Sequence, residues 1–360
     1  MTPQNQVSKA ITLSMLIKAD VANPNAGWGE GNITVMKKVS LNDGSRHPYI
    51  SGQALRRYLR DTLVGQGIVP NEKMSPQNPG ADPKAPILTD GKPTKYIDDD
   101  IFGFMGAVKE ATRRRESPLR VSAAFGLFSY QGDRDLGTRS KLDVTKDPEE
   151  GGAMFETEIT NNVFRTTWLV ELDRIGCGWN YETTDTLDDL KKEKVQISNI
   201  EKKKKKKGSA NVEYDIFFFS IDDQERKKRV VNVLEALKYY RGGARCGRLL
   251  LDLIPRFIVY FRLTKKLPLL LNDLEVVLEN KEYKLKEESI KEIVNDYRED
   301  IQSCIVGYRK GFLPLDANSL KAIFEVKRED KGSYFPVTVC SVGEAIDMMI
   351  SDIKQETVKF

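Results

Sequence analysis

Ser51-Gly52-Gln53-Ala54-Leu55-Arg56-Arg57-Tyr58-Leu59-Arg60-Asp61-Thr62-Leu63 is the stretch on which the reading of the fold turns. Leu55, Tyr58, Leu59 and Leu63 recur at helical spacing and give one stripe to bury. Ser51 stands where an N-cap is needed, and Gly65 and Gly67 end the helix. Upstream, Ile11 to Asp20 is a β-type run with partial alternation, and a long Gly/Asn/Pro loop leads from it to about Pro48. A strand is therefore followed by a helix.

Downstream, residues 70–95 are rich in Pro, Asn, Gly and Asp and read as a surface insertion. Arg120 to Tyr130 alternates as a strand through Val121, Ala123, Phe125 and Leu127, and Phe164, Thr166, Trp168, Val170 and Leu172 alternate likewise. Between them, Gln131 to about Asn162 is polar, has a Gly151-Gly152 turn, and reads as a protruding arm with some β character. Gly178 to about Asn211 is a charged insertion of low hydrophobicity, and its Lys202–Lys207 run is expected to be a mobile, solvated loop. Ile216 to Ser220 returns as a short buried strand. Asp222/Asp223 can cap a second helix that buries Val230, Val233, Leu234, Leu237 and Tyr240 and stops at Gly242 and Gly243. Leu249 to Leu263 then supplies a last strand. From Thr264 onward the pattern is mostly helical, with one strand candidate near Tyr334 to Val339, and is expected to form a C-terminal extension. Without the insertions the order is strand, helix, strand, strand, helix, strand. That is an α+β fold of the ferredoxin-like or RRM-like βαββαβ type, whose sheet face and loops commonly bind RNA.

Composition narrows the function. The 360 residues carry 57 Lys+Arg against 53 Asp+Glu, so the net charge is +4 and any nucleic-acid site must come from local clustering. Hydrophobic residues make up 40% of the chain, which is enough for a core. No apolar run reaches the roughly 20 residues of a membrane span, and the polar N-terminus has no apolar signal region. Cys177, Cys246, Cys304 and Cys340 are widely spaced with no Cys-x-x-Cys pair, which fits a reducing cytoplasm better than a zinc ribbon or a disulfide framework.

No P-loop is present. Gly27-Trp28-Gly29-Glu30-Gly31 runs into the strand-like Asn32-Ile33-Thr34-Val35 instead of a helix, which weakens a dinucleotide reading, so no cofactor is expected. Asp98-Asp99-Asp100 reads as a cap or turn and not as a metal site. The single histidine, His47, sits in the turn-like run Asp43-Gly44-Ser45-Arg46-His47-Pro48, with no nucleophile elbow to accompany it.

Basic residues cluster at Arg56/Arg57/Arg60, Arg113–Arg115, Arg139/Lys141, Lys202–Lys207, Arg226–Arg229 and Arg241/Arg245/Arg248. Phosphate recognition needs guanidinium forks together with backbone N–H groups free to approach the anion. Ser51, Gly52, Gln53, Arg56, Arg57 and Arg60 meet that description at a helix start, although Asp61 offers the same arginines a local partner. Arg241, Gly242, Gly243, Arg245 and Gly247 meet it in a loop with more glycines and arginines than a helix cap requires.

Taken together, four segments resemble a known family. Pro48-Tyr49-Ile50-Ser51-Gly52-Gln53-Ala54-Leu55-Arg56-Arg57 resembles the N-terminal motif of the CRISPR-associated RAMP backbone subunits. Asp100-Ile101-Phe102-Gly103 resembles their Phe-Gly element, and Gly151-Gly152-Ala153-Met154-Phe155-Glu156-Thr157-Glu158 the segment closing their thumb. Arg241-Gly242-Gly243-Ala244-Arg245-Cys246-Gly247 is similar to their glycine-rich loop. Order and spacing look like the DevR-type branch of type I Cascade complexes, subtype I-B, over roughly residues 8–262.

The resemblance implies an RRM-like palm with a fingers-like insertion (65–118), a β-hairpin thumb (131–162) and a charged insertion (178–211), followed by the extension 263–360. It implies copies stacked along a CRISPR guide RNA, contacts with other Cascade subunits, and target DNA reached through the guide. It adds Arg139, Lys141, Met154 and Phe155 to the RNA-binding residues. Related type III subunits cleave RNA with an Asp in the loop after the first strand. Val21 to Asn42 has none, so the chain is read as non-catalytic. The alternative is a RAMP-type endoribonuclease that processes precursor RNA with His47 as general base.

Overall fold

The computed structural model describes residues 7–29, 31–77, 89–108, 111–139, 153–182, 190, 195–207, 210–328 and 332–355. The fold is mixed α+β, with six α-helices among the described residues. Its centre is β1 (Ala10–Ala22), a strand buried on both sides. Ile11, Leu13, Met15 and Ile17 enter one core, while Leu16 enters a second across the sheet. This fits the near-continuous apolar content of the strand, since two covered faces leave little reason for strict alternation.

β1 pairs antiparallel with β8 (Thr160–Glu171) on one side and with β12 (Phe257–Leu263) on the other. Outside β8 lie two short strands, β4 (Leu119–Val121) and β5 (Ala124–Gly126). β3 (Arg46–Ile50) and β2 (Lys38–Ser40) continue the sheet beyond β5. On the far side, β13 (Ile301–Tyr308) and β14 (Val337–Ser341) extend it past β12. The full sheet has nine strands.

One face carries α1 (Gly52–Gly65), α3 (Asp223–Ala236) and α6 (Val342–Lys354). Leu55, Leu59, Leu63, Val230, Val233, Leu234, Ile346 and Met349 pack with the β1 residues in a single core. Each fully buried Leu or Val contributes about 1.5–3 kcal/mol. Ser51 caps α1 by accepting from the Ala54 N–H at 3.3 Å, and Asp222 caps α3 by accepting from the Gln224 N–H at 2.9 Å, as the sequence pattern anticipates. The Tyr240 hydroxyl ties the two helices together by donating to the Leu55 carbonyl at 2.7 Å. Its ring meets Trp168 edge-on.

The other face is covered by the C-terminal third. Leu269, Leu274, Ile290 from α4 (Glu287–Asp296) and Phe324 from α5 (Ala317–Phe324) bury Phe257, Val259 and Phe261. Thr12 and Ser14, which point to this side of β1, donate to the carbonyls of Leu267 at 2.6 Å and Leu269 at 2.7 Å. The expectation that a sheet face is available to RNA is therefore corrected at the centre of the sheet. Residues 267–274 lie on it.

Several boundaries also differ. The region read as a loop up to Pro48 contains β2, the start of β3 and the short strand Ile33–Thr34. The strand expected at Arg120 to Tyr130 is broken into β4 and β5 at Ser122–Ala123. The last strand starts at Phe257, because Leu249 to Arg256 makes turns and bridges instead. The C-terminal region is not mostly helical: besides three helices it adds β13 and β14 to the sheet and holds two small hairpins.

The charged insertion holds a three-stranded sheet of β9 (Cys177–Glu182), β11 (Ala210–Ser220) and β10 (Gln196–Lys207). The lysine run is thus strand, not a mobile loop. The register sets Asp215 opposite Lys202, and an opposite charge across a ladder offsets part of the repulsion within the run.

Candidate nucleic-acid interface

The arm is a β-hairpin of β6 (Arg134–Arg139) and β7 (Ala153–Glu158), with Phe155 opposite Gly137 and Met154 opposite Thr138. Ile33–Thr34 adds a parallel third strand beside Glu156 and Thr157. The tip, including Lys141 and the Gly151-Gly152 turn, lies outside the described residues, as does the Arg139 side chain.

The base of the arm is fixed by Glu158. This buried carboxylate accepts from the Met36 N–H at 2.7 Å and pairs with Lys38, whose ammonium stands 4.4 Å over the Tyr130 ring. Burial and the Glu158 charge push the Tyr130 phenol up to about 12. Asn23, also buried, donates to the Glu158 carbonyl at 3.0 Å.

The glycine–arginine loop packs against this arm. Gly242 approaches the Tyr58 ring of α1 so closely that a Cβ there would lie 2.3 Å from it, which explains the glycine without any ligand. The Ala244 N–H donates to the Asn23 carbonyl at 2.8 Å. Arg248 then reaches the hairpin. Its guanidinium lies 4.5 Å over the Phe155 ring, pairs with Asp135 at 3.2 Å, and donates to the Thr157 hydroxyl. Two segments about 90 residues apart in sequence are thereby clasped together.

Arg241 and Arg245 remain on the outside of this clasp. Both are exposed, and neither has an ion pair among the described residues. The Arg245 side chain makes one long contact, 3.4 Å to the Thr34 hydroxyl, and its backbone holds a left-handed φ of 56°. That conformation costs a non-glycine residue about 1–2 kcal/mol, and the turn it belongs to offsets part of the cost, because the Arg245 carbonyl accepts from the Arg248 and Leu249 N–H groups at 2.9 Å each. Gly247 meets nothing within 4 Å, so packing does not require glycine there.

The helix-start cluster is arranged differently. Gly52 is glycine because a Cβ would lie 2.5 Å from the Val121 carbonyl oxygen. Ser51 is occupied as the cap, its own N–H donating to Asn25 at 3.0 Å. Arg60 donates to Asp98 at 3.0 Å and to the Ser75 carbonyl at 2.9 Å. Arg57 pairs with Asp61 at 3.0 Å and contacts Gln77. Arg56 reaches the Phe102 carbonyl at 3.4 Å, and partial burial pulls its guanidinium down from the ordinary value. Gln53 is exposed.

The acidic run organises this neighbourhood. All three carboxylates are buried in or beside α2 (Ile97–Ile101). Asp100 accepts from Arg115 at 2.5 Å, Arg229 at 2.8 Å and the Gly176 N–H at 2.8 Å. Asp98 holds Arg60 and the Ser75 N–H, while Asp99 accepts from the Lys92 N–H at 2.8 Å and is raised by burial. Among the described residues no group of three His, Cys, Asp or Glu could hold a metal.

His47 faces inward. Its Nδ1 lies 2.7 Å from the Gly126 carbonyl, its Nε2 lies 3.1 Å from the Ser45 hydroxyl, and its ring stacks on Phe125. Because a carbonyl can only accept, Nδ1 carries a proton.

The sequence reading missed the roles of Asn23, Asn25, Glu158 and Arg248 in holding loop and arm together. No local signal marks them, because each acts on a partner far away in the chain.

The family model for the CRISPR-associated negative auto-regulator DevR/Csa2 matches residues 11–270. The chain belongs to the DevR/Csa2 family. Two solved structures share its fold. One is a chain of a "CRISPR RNA-guided surveillance complex", 13% identical, with a TM-score of 0.50, covering 95% of this chain and 99% of that one. The other comes from a "CRISPR RNA-guided surveillance complex, pre-nicking", 13% identical, with a TM-score of 0.51, covering 96% and 100%. No curated protein matches the chain. The match to the DevR/Csa2 model takes in β1, α1, the arm and the glycine–arginine loop, so every element of the interface described above lies inside it. Among the described residues of this DevR/Csa2 chain, no helix is long and apolar enough to cross a membrane.

Proposed function

We propose that the chain is the guide-RNA-binding backbone subunit of a type I Cascade complex, of subtype I-B, acting in the cytoplasm. Copies stack along the RNA, contact other Cascade subunits, and present the guide for pairing with target DNA. In this reading β1, β4 with β5, β8 and β12, together with α1 and α3, form an RRM-like palm. The hairpin from Arg134 is the thumb, and residues 65–118 are the fingers. The strand order β12-β1-β8-β5, with both helices on one face, supports the palm.

The observation that carries the proposal is the clasp: Arg248 binds the arm, while Arg245, exposed and without an ion pair among the described residues, reaches the strand beside it. The equally exposed Arg241 lies by Gly65 at the end of α1. Because the centre of the sheet is covered, RNA is read by loop and arm through its phosphates, leaving base edges free to pair. No proton-transfer role is proposed for His47, since both ring nitrogens have protein neighbours at hydrogen-bonding distance.

The test is fluorescence anisotropy of the purified chain with unrelated single-stranded RNAs at several salt concentrations. The expected result is little sequence preference and a steep fall in affinity with salt. Absence of binding at low salt overturns the proposal.

A further inference from the structure

Trp28 is 96% exposed, the most exposed large hydrophobic side chain among the described residues. An indole left in water forfeits a large apolar burial. A single exposed hydrophobic residue is ordinary, and what sets this one apart is how it is held and what stands beside it. Disorder does not account for it, because the backbone on both sides is tied down. Ala26 bridges Met36, the Gly27 N–H donates to the Val35 carbonyl at 2.7 Å, and the Lys37 N–H donates to the Asn25 carbonyl at 2.9 Å. The returning strand, Ile33–Thr34, is paired to the arm, and the Glu156 N–H donates to the Asn32 carbonyl at 3.1 Å. Gly29, next to the indole, sits so close to the Ile33 carbonyl that an added Cβ would lie 3.3 Å from it. Trp28 therefore stands on an anchored ribbon, beside the strand Ile33–Thr34 that pairs with the arm.

The same turn carries the clue to the occupant. Thr34 receives the contact from Arg245, so the ribbon presenting the indole also touches an arginine that has no carboxylate partner. An aromatic face on the same ribbon as an unpaired guanidinium is the pairing that single-stranded nucleic acid demands, with π-stacking for a base and positive charge for its phosphate. A protein partner would have to bring an apolar pocket and a carboxylate in register, whereas each nucleotide of a single strand carries a base and a phosphate together. We infer that Trp28 is a base-stacking platform for one unpaired nucleotide of a single strand whose phosphate is held by Arg245. This inference rests on the RNA-binding reading above and adds to it a contact with a base.

The experiment uses the full chain carrying Trp179→Phe. Trp168 is fully buried, so Trp28 is then the only exposed indole. The probes are a single-stranded oligoadenylate and an abasic ribose-phosphate oligomer of equal length. The oligoadenylate is expected to quench the tryptophan emission and the abasic oligomer to leave it unchanged. Trp28→Ala is expected to weaken oligoadenylate binding about tenfold, Trp28→Phe to keep most of it, and neither to alter the melting temperature. If the parent protein binds the oligoadenylate but Trp28→Ala binds equally well and no quench is seen, the platform is overturned and the RNA-binding reading stands. If Trp28→Ala instead abolishes self-association in light scattering with RNA affinity intact, the occupant is a second copy and the inference is wrong. If the parent binds neither probe, both readings fall.

Discussion

Two arginine clusters that look alike in sequence have opposite fates in the fold. Arg56, Arg57 and Arg60 follow a glycine at a helix start, while Arg241, Arg245 and Arg248 interleave with glycines in a loop. In the first cluster the partly buried Arg56 makes one long contact, 3.4 Å to the Phe102 carbonyl, and Arg57 and Arg60 find carboxylates within the chain, at Asp61 and Asp98. In the second only Arg248 does so strongly, and it faces the arm. The difference lies in the surroundings of the arginines, not in the arginines themselves. α1 lies beside the buried acidic helix α2, whereas the loop lies beside a hairpin that offers one aromatic ring and one aspartate. A basic motif at a helix start can be a scaffold feature, and a free cation in a turn is the stronger sign of an anion site.

The contrast can be broken most severely at its internal extreme. Asp100→Ala strands Arg115 and Arg229 in a dry site and should cost about 3–5 kcal/mol, seen as a large drop in the urea midpoint. A variant of normal stability would show that the acidic run does not hold the scaffold.

The next test sets one arginine against the other. Arg60→Ala should lose about 1.5–3 kcal/mol of stability and change RNA affinity little, because its hydrogen bonds are internal. Arg245→Ala should leave the melting curve in place, weaken RNA binding about tenfold, and lower the salt slope by about one. An exchange of those two phenotypes would invert the comparison.

Arg248→Gln should act between these extremes. It removes the ring contact and the Asp135 pair, worth about 1 kcal/mol together at a partly exposed site, and should release the arm locally. Hydrogen exchange at Phe155 to Thr157 should quicken while α1 stays protected, and unchanged exchange there would remove the clasp. The smallest effect is expected at Arg57→Ala. Its Asp61 partner is a half-exposed i,i+4 neighbour, and the cost should stay within about 0.5 kcal/mol by thermal denaturation.

What the sequence determined by itself is local. The 3.6-residue stripe Leu55, Leu59, Leu63 and the cap Ser51 specify α1, and Asp222 with Val230, Val233 and Leu234 specify α3, because caps and periodicity act within one or two turns. The alternation of Phe164 to Leu172 specifies most of β8 for the same reason. The motifs at Ser51 and Arg241 were also legible as basic, glycine-containing segments. Their partners were not. Arg60 meets Asp98 across 38 residues, Arg229 meets Asp100 across 129, and Arg248 meets Thr157 across 91. Such pairs form only when the chain closes, so no window of sequence contains them. The second face of β1 was hidden in the same way, since Thr12 and Ser14 look like solvent-facing hydroxyls until the carbonyls of Leu267 and Leu269 arrive over them. The lysine run is strand in the fold, with Asp215 set opposite Lys202, a pairing that the composition of the run does not reveal. Short-range periodicity thus chose the elements. Long-range closure, which desolvates some charges beside partners and leaves others in water, decided which of the arginines stayed available to bind.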